Sequence, residues 1–265
     1  MPEIHNSCFA TLQVSTQIEY DSLMNSFDWK PITIEGDSQQ YYECFFESKG
    51  KKPLRLIAAM ADEMGNTAAA VLSLKLNGIF HPKFMILTGI AAGVKFIHKK
   101  NQPVMGDVVI ADRVWNFSSG KYVPRGESPL QLGNIGFIPR PNILRISPEL
   151  RKFLKEKVKV SHLNYKIHIG AMASGSAVIS NREIIANYIL PIVEKTKGLD
   201  MESYGVFYTS EHAIFPRPIA LVVKGICDFA DDAKCDEYQS LAAGNSCNFL
   251  NYLLSEVLPE YQSGT

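Results

Sequence analysis

Short apolar runs alternate with helical segments along this chain, and the alternation restricts the folds that it can adopt. The clearest example is the succession "PLRLIAAM", "MGNTAAAVLSLKLNG" and "KFMILTGIAAGV". We interpret the first run as a strand, the second as an Ala- and Leu-rich helix ending at Gly78, and the third as a strand running into a glycine-containing loop, "TGIAAG". A strand, a helix and another strand in this order predict parallel pairing through a right-handed crossover.

The same alternation recurs from one end of the chain to the other. Further strands are predicted at "FATLQV", "GDVVIADRVWNF", "KIHIGAMASG" and "RPIALVVKGI", and further helices at "TQIEYDSLMNSF", "NREIIANYI", "LDMESYGVFYTSEH" and from about Tyr238 to Leu258. Residues 118–148 are rich in Gly, Pro and Ser without a clear period, so we expect a long excursion there. The pattern predicts one α/β domain over residues 1–265, with three α/β/α layers around a central mixed, mostly parallel sheet.

The composition favours small partners in a reducing compartment. Lys and Arg number 27 and Asp and Glu number 27, so no net charge attracts the chain to nucleic acid or to a membrane. The five cysteines are scattered without a C-x-x-C pair, which argues against a disulfide framework and against a zinc site. The amino terminus has no signal-peptide pattern, and no run of about 18 apolar residues occurs. We therefore expect a cytoplasmic protein with a small-molecule ligand and no nucleic-acid or membrane partner.

Three carboxylates follow predicted strands or open predicted helices at one edge of the sheet. Ligands of open α/β sheets bind outside the carboxyl ends of the strands, so Glu19, Glu202 and Asp228 are expected to meet there although they are far apart in sequence. Each acid alone also has a structural explanation. Asp228 could cap a turn, Asp200 and Glu202 could serve the positive end of a helix dipole, and Glu19 could be a solvated helix residue.

Seven segments in order resemble the nucleoside phosphorylase and nucleosidase superfamily, from about Thr11 to Leu258. They are "VSTQIEYDSL", "MGNTAAAV", "ILTGIAAGV", "GDVVIADRV", "ASGSAVIS", "LDMESYGV" and "VKGICDFAD". The resemblance implies that the N-glycosidic bond of a purine nucleoside, with adenine as the expected base, is cleaved without a cofactor or a metal ion. It also implies a homo-oligomer, either a dimer or a hexamer.

The resemblance assigns roles to individual residues. Asp228 is implied to protonate the departing base, Glu202 to hold the ribose hydroxyls and Met201 to contact the sugar face. The remaining residues implied to contact the substrate are Met64, Gly89, Ile90, Ala91, Ala92, Val178 and Ile179. These roles suit the chemistry, because base departure needs a proton as the sugar becomes oxocarbenium-like.

The choice between water and phosphate as the attacking group depends on two positions. Phosphorylases of the superfamily commonly carry an arginine at the position of Leu87, and an aliphatic residue cannot neutralise phosphate. In the hydrolytic branch, typified by methylthioadenosine/S-adenosylhomocysteine nucleosidase, a glutamate at the position of Glu19 positions water, and an arginine commonly stands where this chain has Lys224. We favour hydrolysis. Phosphorolysis with a different anion site and non-catalytic nucleotide sensing remain alternatives.

The form "GICDxAD" resembles the branch found as effector domains in bacterial defence systems and fungal immune receptors, where nucleotides such as ATP can be substrates. Whether the chain acts alone or within a larger protein is left open. Four basic residues could meet phosphates or form a solvated surface: Lys95, Lys99, Lys100 and Arg113. Four acids could form a magnesium site or an acidic helix start, and we favour the helix start: Asp231, Asp232, Asp236 and Glu237.

Overall fold

The structure alternates strands and helices as the sequence predicts. The computed structural model describes residues 7–48, 52–95, 102–128, 130–132, 134–159, 163–231 and 236–262. The strands are β1 (Ala10–Val14), β2 (Lys30–Ile32), β3 (Tyr41–Phe46), β4 (Leu54–Met60), β5 (Phe84–Gly93), β6 (Val108–Asn116), β7 (Gly120–Pro124), β8 (Leu130–Leu132), β9 (Ile135–Pro139), β10 (Ile143–Arg145), β11 (Ile167–Ser174), β12 (Thr196–Asp200) and β13 (Ile219–Asp228). The α-helices are α1 (Gln17–Met24), α2 (Asn66–Phe80), α3 (Pro148–Val158), α4 (Arg182–Ile184), α5 (Leu190–Ile192), α6 (Ser203–His212) and α7 (Gln239–Tyr252). A π-helical turn joins α4 to α5, and another extends α7.

A ten-stranded mixed sheet forms the centre of the fold. β5 lies between its parallel neighbours β1 and β13, and β1 also pairs in parallel with β4. β6, β11 and β12 form a second parallel group. The two groups join through the antiparallel pairs β12–β5 and β13–β6, so that five strands close into a ring. The predicted α/β fold with a central mixed, mostly parallel sheet is confirmed.

Helices cover this sheet in pairs, with α2 packed against α6 and α1 against α7. The central strands β5 and β13 are almost entirely buried, which explains why their sequences read as continuous apolar runs. Within the described ranges, no helix combines the length and the apolarity that a membrane crossing requires.

Several predicted boundaries were wrong. Helix α2 continues past Gly78 to Phe80 and ends where His81 adopts a left-handed conformation, with φ of 42°. "TGIAAG" is part of strand β5 and not a loop, because residues 88–92 pair with β13 and Gly93 pairs with β12. Asp200 ends strand β12 and does not open a helix. The expected excursion at 118–148 contains a small sheet, β7–β9–β8, and the edge strand β10.

Candidate active site

A cavity of about 290 Å³ opens at the carboxyl ends of β5 and β13, and we call it the main cavity. Its volume lies near the lower end of the range for small-molecule sites, about 300–1,000 Å³. Ten of the twelve residues predicted to form the site line it: Glu19, Met64, Ile90, Ala91, Ala92, Val178, Ile179, Met201, Glu202 and Asp228. The other two, Gly89 and Lys224, lie outside its wall and contact Glu19 from behind.

Asp228 ends strand β13 with its carboxyl group fixed by its neighbours. Oδ1 accepts a hydrogen bond from the backbone N–H of Ala230 at 2.7 Å, and Oδ2 accepts one from the Cys227 thiol at 3.4 Å. Ala230 adopts a left-handed backbone conformation, with φ of 52°, where the chain bends after the strand. The aspartate therefore stabilises a turn, as the structural explanation held, and also faces the main cavity.

Glu19 is only 2% exposed, so the alternative of a solvated helix residue was wrong. Its Oε2 accepts from the backbone N–H groups of Ser15 and Thr16, at 2.9 and 3.0 Å, in the capping box of α1. Its Oε1 accepts from the Ile90 N–H at 2.7 Å and from Lys224 Nζ at 3.0 Å. A carboxylate offers about four lone-pair sites, and all of them are engaged here.

Gly89 permits the close approach of β5 to Glu19. Its φ of +143° is one that side-chain-bearing residues rarely adopt, and a Cβ atom there would lie 1.8 Å from Glu19 Oε1. The glycine thus contributes space and backbone direction to the site but no contact with the main cavity.

Lys224 is completely buried among carboxylates. Its Nζ lies 3.0 Å from Glu19 Oε1 and 3.7 Å from Glu202 Oε2. Burial alone would lower the pKa of Lys224, but the charges of Glu19, Glu202 and Asp200 outweigh burial and raise it above its ordinary value. The lysine therefore stays charged behind the wall, and any effect on the contents of the main cavity passes through these carboxylates.

Glu202 is held at the junction of β12, α6 and the start of α2. Oε1 accepts from the Gly65 N–H at 3.1 Å, and Oε2 accepts from the Met201 N–H at 3.3 Å. Burial raises the pKa of Glu202 from its ordinary 4.5 to about 7; the Lys224 charge opposes this rise, whereas Asp200 and Glu19 add to it. Burial also raises the pKa of Asp200, which caps α6 through the N–H and hydroxyl of Ser203.

The sequence did not identify Phe117 and Gln239, which also line the main cavity. Phe117 directly succeeds β6 and is 6% exposed, and its ring packs so closely on Gly175 that a Cβ atom there would lie 2.3 Å from Cζ. Phe117 is the last residue of the predicted strand "GDVVIADRVWNF", so inspection of the residues that follow each predicted strand passed over it. Val178, by contrast, is 57% exposed at the cavity.

None of the described charged residues that were considered for phosphate or metal lines the main cavity. Lys95 Nζ stands 3.6 Å from the ring centre of Phe229, and Arg113 lines a separate groove. Lys99, Lys100 and Asp232 lie outside the described residues. Asp231 pairs with Arg182 at 2.8 Å, and Asp236 accepts a hydrogen bond from Gln239 at 2.5 Å. Within the described ranges, no group of three or more His, Cys, Asp or Glu is arranged to hold a metal ion.

The described charged residues that line the main cavity are all acidic. Four carboxylates line it, from Glu19, Asp200, Glu202 and Asp228, and none of its lining residues among those described is Lys, Arg or His. Leu87, at the position where phosphorylases commonly carry arginine, is fully buried in β5. Such a wall can donate a proton or attract positive charge, but it offers nothing to neutralise an anion.

Comparison with known proteins gives relatives by sequence and a solved structure of similar fold. ATP nucleosidase Cap17 of Escherichia coli (strain KTE188) is 27% identical over 216 residues, which cover 72% of this chain and 39% of the relative. The uncharacterized protein y4jS of Sinorhizobium fredii (strain NBRC 101917 / NGR234) is 27% identical over 246 residues, which cover 87% of this chain and 56% of the relative. The chain thus spans about half or less of the length of these curated relatives. The 5′-methylthioadenosine/S-adenosylhomocysteine nucleosidase of Neisseria meningitidis, solved with methylthio-immucillin-A, superposes with a TM-score of 0.70 at 20% identity, over 94% of this chain and 99% of that chain.

The family assignment rests on the extent of the sequence match. The family model described as Phosphorylase superfamily matches residues 31–257, a range that includes Met64, Ile90, Glu202 and Asp228. The resemblance read from the seven ordered motifs is thereby confirmed. Because this match covers most of its length, the chain belongs to the phosphorylase superfamily.

Proposed function

We propose that this protein hydrolyses the N-glycosidic bond of an adenine nucleoside or nucleotide. The observation that carries the proposal is the wall of the main cavity, which presents four carboxylates and, among the described residues, no cation. Glycosidic cleavage passes through a cationic, oxocarbenium-like sugar, which negative charge stabilises. Phosphorolysis would instead bring a phosphate dianion against these carboxylates. The names of the relatives, an ATP nucleosidase and a methylthioadenosine/S-adenosylhomocysteine nucleosidase, support the same reaction class.

Asp228 is the proposed acid. It ends the buried strand β13, where the Ala230 N–H fixes one carboxyl oxygen and the Cys227 thiol the other. As the bond to the sugar breaks, the electron pair goes to the base, and the proton of Asp228 follows it to a purine ring nitrogen. Water then adds to the anomeric carbon, and the proton that it loses passes to solvent, from which the Asp228 carboxylate is protonated again, so that free base and free sugar result.

Glu202 is proposed to bind the ribose hydroxyls through charge-assisted hydrogen bonds, and Met201 to contact the sugar face. Because the pKa of Glu202 is about 7, this binding needs a pH at which the carboxylate is ionised. Phe117 is proposed as an aromatic contact for the base, since Val178, in the segment expected to border the base, is largely exposed.

Glu19 is proposed to position the water. Since its four acceptor sites are occupied, a water that binds it must replace one donor. Lys224 is the donor that can move with least loss, because Glu202 Oε2 lies 3.7 Å from its Nζ and can accept it instead. In this role Lys224 positions Glu19 and does not touch the substrate.

The test is a panel of adenosine, methylthioadenosine, inosine, AMP and ATP, each with and without phosphate, analysed for free base by chromatography. We expect base release without phosphate, no sugar 1-phosphate, and loss of release in Asp228→Asn with substrate binding retained. Asp28→Asn, a change at an exposed aspartate outside the main cavity, serves as the matched control. Formation of sugar 1-phosphate in proportion to phosphate would establish a phosphorylase, and binding without turnover in either form would establish a sensor.

A further inference from the structure

A second groove, formed by β6, β10 and α3, concentrates positive charge in a chain whose net charge is zero. It encloses about 630 Å³, and we call it the basic groove. Its cationic side chains are Arg113, Arg145, Arg151, Lys152, Lys155 and Lys159, and its acidic ones are Asp112 and Glu156. No residue lines both this groove and the main cavity, so an ion bound in one does not occupy the other.

Asp112 organises two of the arginines. Its side chain is 1% exposed and accepts from Arg113 Nε at 3.1 Å and from Arg151 Nε at 2.6 Å. Both bonds use Nε–H, and within the described part of the chain no hydrogen bond engages the terminal nitrogens of either guanidinium. A buried carboxylate thus holds two arginine forks in fixed orientations and leaves their outer donors for another acceptor.

The remaining cations are arranged at the cost of mutual repulsion. Arg145 on β10 is the direct register partner of Arg113 on β6, and like charges in opposite positions destabilise a strand pair. Lys152, Lys155 and the C-cap residue Lys159 are spaced by three and four residues, so they form one stripe along α3 and its carboxyl end. At a rise of about 1.5 Å per residue, that stripe is about 10 Å long, which exceeds the width of a single phosphate group.

We propose that the basic groove binds a small oligophosphate, an anion with two or three linked phosphate groups. Guanidinium forks match phosphate oxygens in geometry, and an extended row of cations fits several linked phosphates better than one. The chain has no net positive charge to hold a long nucleic acid, which favours a compact anion. Inorganic polyphosphate and the phosphate chain of a nucleotide share this chemistry.

Calorimetric titration of the full chain with inorganic tripolyphosphate tests the proposal, at an ionic strength of about 0.15 M to suppress unspecific attraction. The test variant is Arg145→Gln/Lys152→Gln/Lys155→Gln, whose three positions are exposed and leave the Asp112 bonds intact. The control variant, Lys30→Gln/Lys121→Gln/Arg140→Gln, removes the same charge at exposed positions outside both cavities. Circular dichroism verifies the fold of both variants.

We expect one tripolyphosphate bound per chain, an affinity at least about tenfold lower in the test variant, and an unchanged affinity in the control. Orthophosphate should bind much more weakly than tripolyphosphate. Binding of ATP, measured in Asp228→Asn to prevent cleavage, distinguishes the two sources. If ATP binds more tightly than tripolyphosphate and the test variant loses this gain in affinity, the ligand is a nucleotide. Four results would overturn the proposal: no binding, equal loss in both variants, binding that the test variant retains, or tighter binding of a single-stranded oligonucleotide.

Discussion

Replacing Glu202 with glutamine should make the protein more stable at alkaline pH while abolishing activity. Burial raises the pKa of Glu202 to about 7 in the folded protein, against 4.5 in an exposed glutamate. Between these two values the folded chain holds a proton that the unfolded chain has lost, so the free energy of unfolding falls as pH rises from about 4.5 to about 7. Above pH 7 the folded protein bears the full free-energy cost of an ionised, buried Glu202. A neutral glutamine amide at this position would not bear that cost.

The size of the effect is set by the two pKa values. A difference of about 2.5 units corresponds to about 3 kcal/mol, at about 1.4 kcal/mol per unit. The quantity to compare is the change in unfolding free energy between pH 5 and pH 8. This change should be more favourable in Glu202→Gln than in wild type by roughly 2–3 kcal/mol, since most of the cost develops between those pH values. Taking the difference between two pH values removes the pH-independent effect of the amide.

Urea denaturation at both pH values, followed by the fluorescence of the fully buried Trp115, measures this quantity. Glu35→Gln, at an exposed glutamate, controls for the loss of a negative charge and should behave like wild type. Base release should disappear in Glu202→Gln and persist in Glu35→Gln. If the two variants show the same pH dependence of stability, Glu202 is not a buried carboxyl of raised pKa, and the reasoning on the site fails.

Four further predictions concern the same site. The kcat/KM for base release should rise with pH through about 7 as Glu202 ionises, and a profile flat from pH 6 to 8 would contradict this role. Lys224→Met should lower the unfolding free energy by about 3–5 kcal/mol, because it leaves buried carboxylates unpaired, whereas Lys224→Arg should lose less in the same urea assay. Phe117→Ala should raise KM about tenfold with little change in kcat, and an unaltered KM would exclude it as a base contact. Gly89→Ala should lower the unfolding free energy by more than about 2 kcal/mol, because the added Cβ atom would clash with Glu19. Gly36→Ala should lower it less, because Gly36 has a positive φ but open space around it.

The elements that the sequence predicted well are those in which burial dictates composition. β5 and β13 are covered on both faces, so their residues form continuous apolar runs that local inspection detects. The same runs located the edge where Asp228 and Ile90 line the main cavity.

The elements that were missed owe their conformation to distant partners. β12 has the sequence "TKGLD", which carries neither an apolar run nor an alternation, and it is a strand because β11 and β5 supply its hydrogen bonds. β7, β8 and β9 are short and make their own small sheet, which no local period announces. The position of Lys224 behind the wall was hidden for the same reason, since its partner Glu19 is 205 residues away.

The buried negative charge that destabilises the folded protein is also the charge on which the proposed chemistry depends. Glu19, Asp200 and Glu202 surround one lysine, so the ionised cluster carries more negative than positive charge in a place with little water. Burial of these carboxylates destabilises the folded protein, and the charges of Asp200 and Glu19 add to the effect, which is why the pKa of Glu202 lies above its ordinary value. The negative field of these carboxylates would stabilise a sugar that becomes positively charged in the main cavity. Because the sugar carries this charge in the transition state, the stabilisation lowers the barrier. A lysine or arginine in the wall would stabilise the folded state and remove this advantage, which gives a physical reason for the wall to hold acids and no neutralising cation among the described residues.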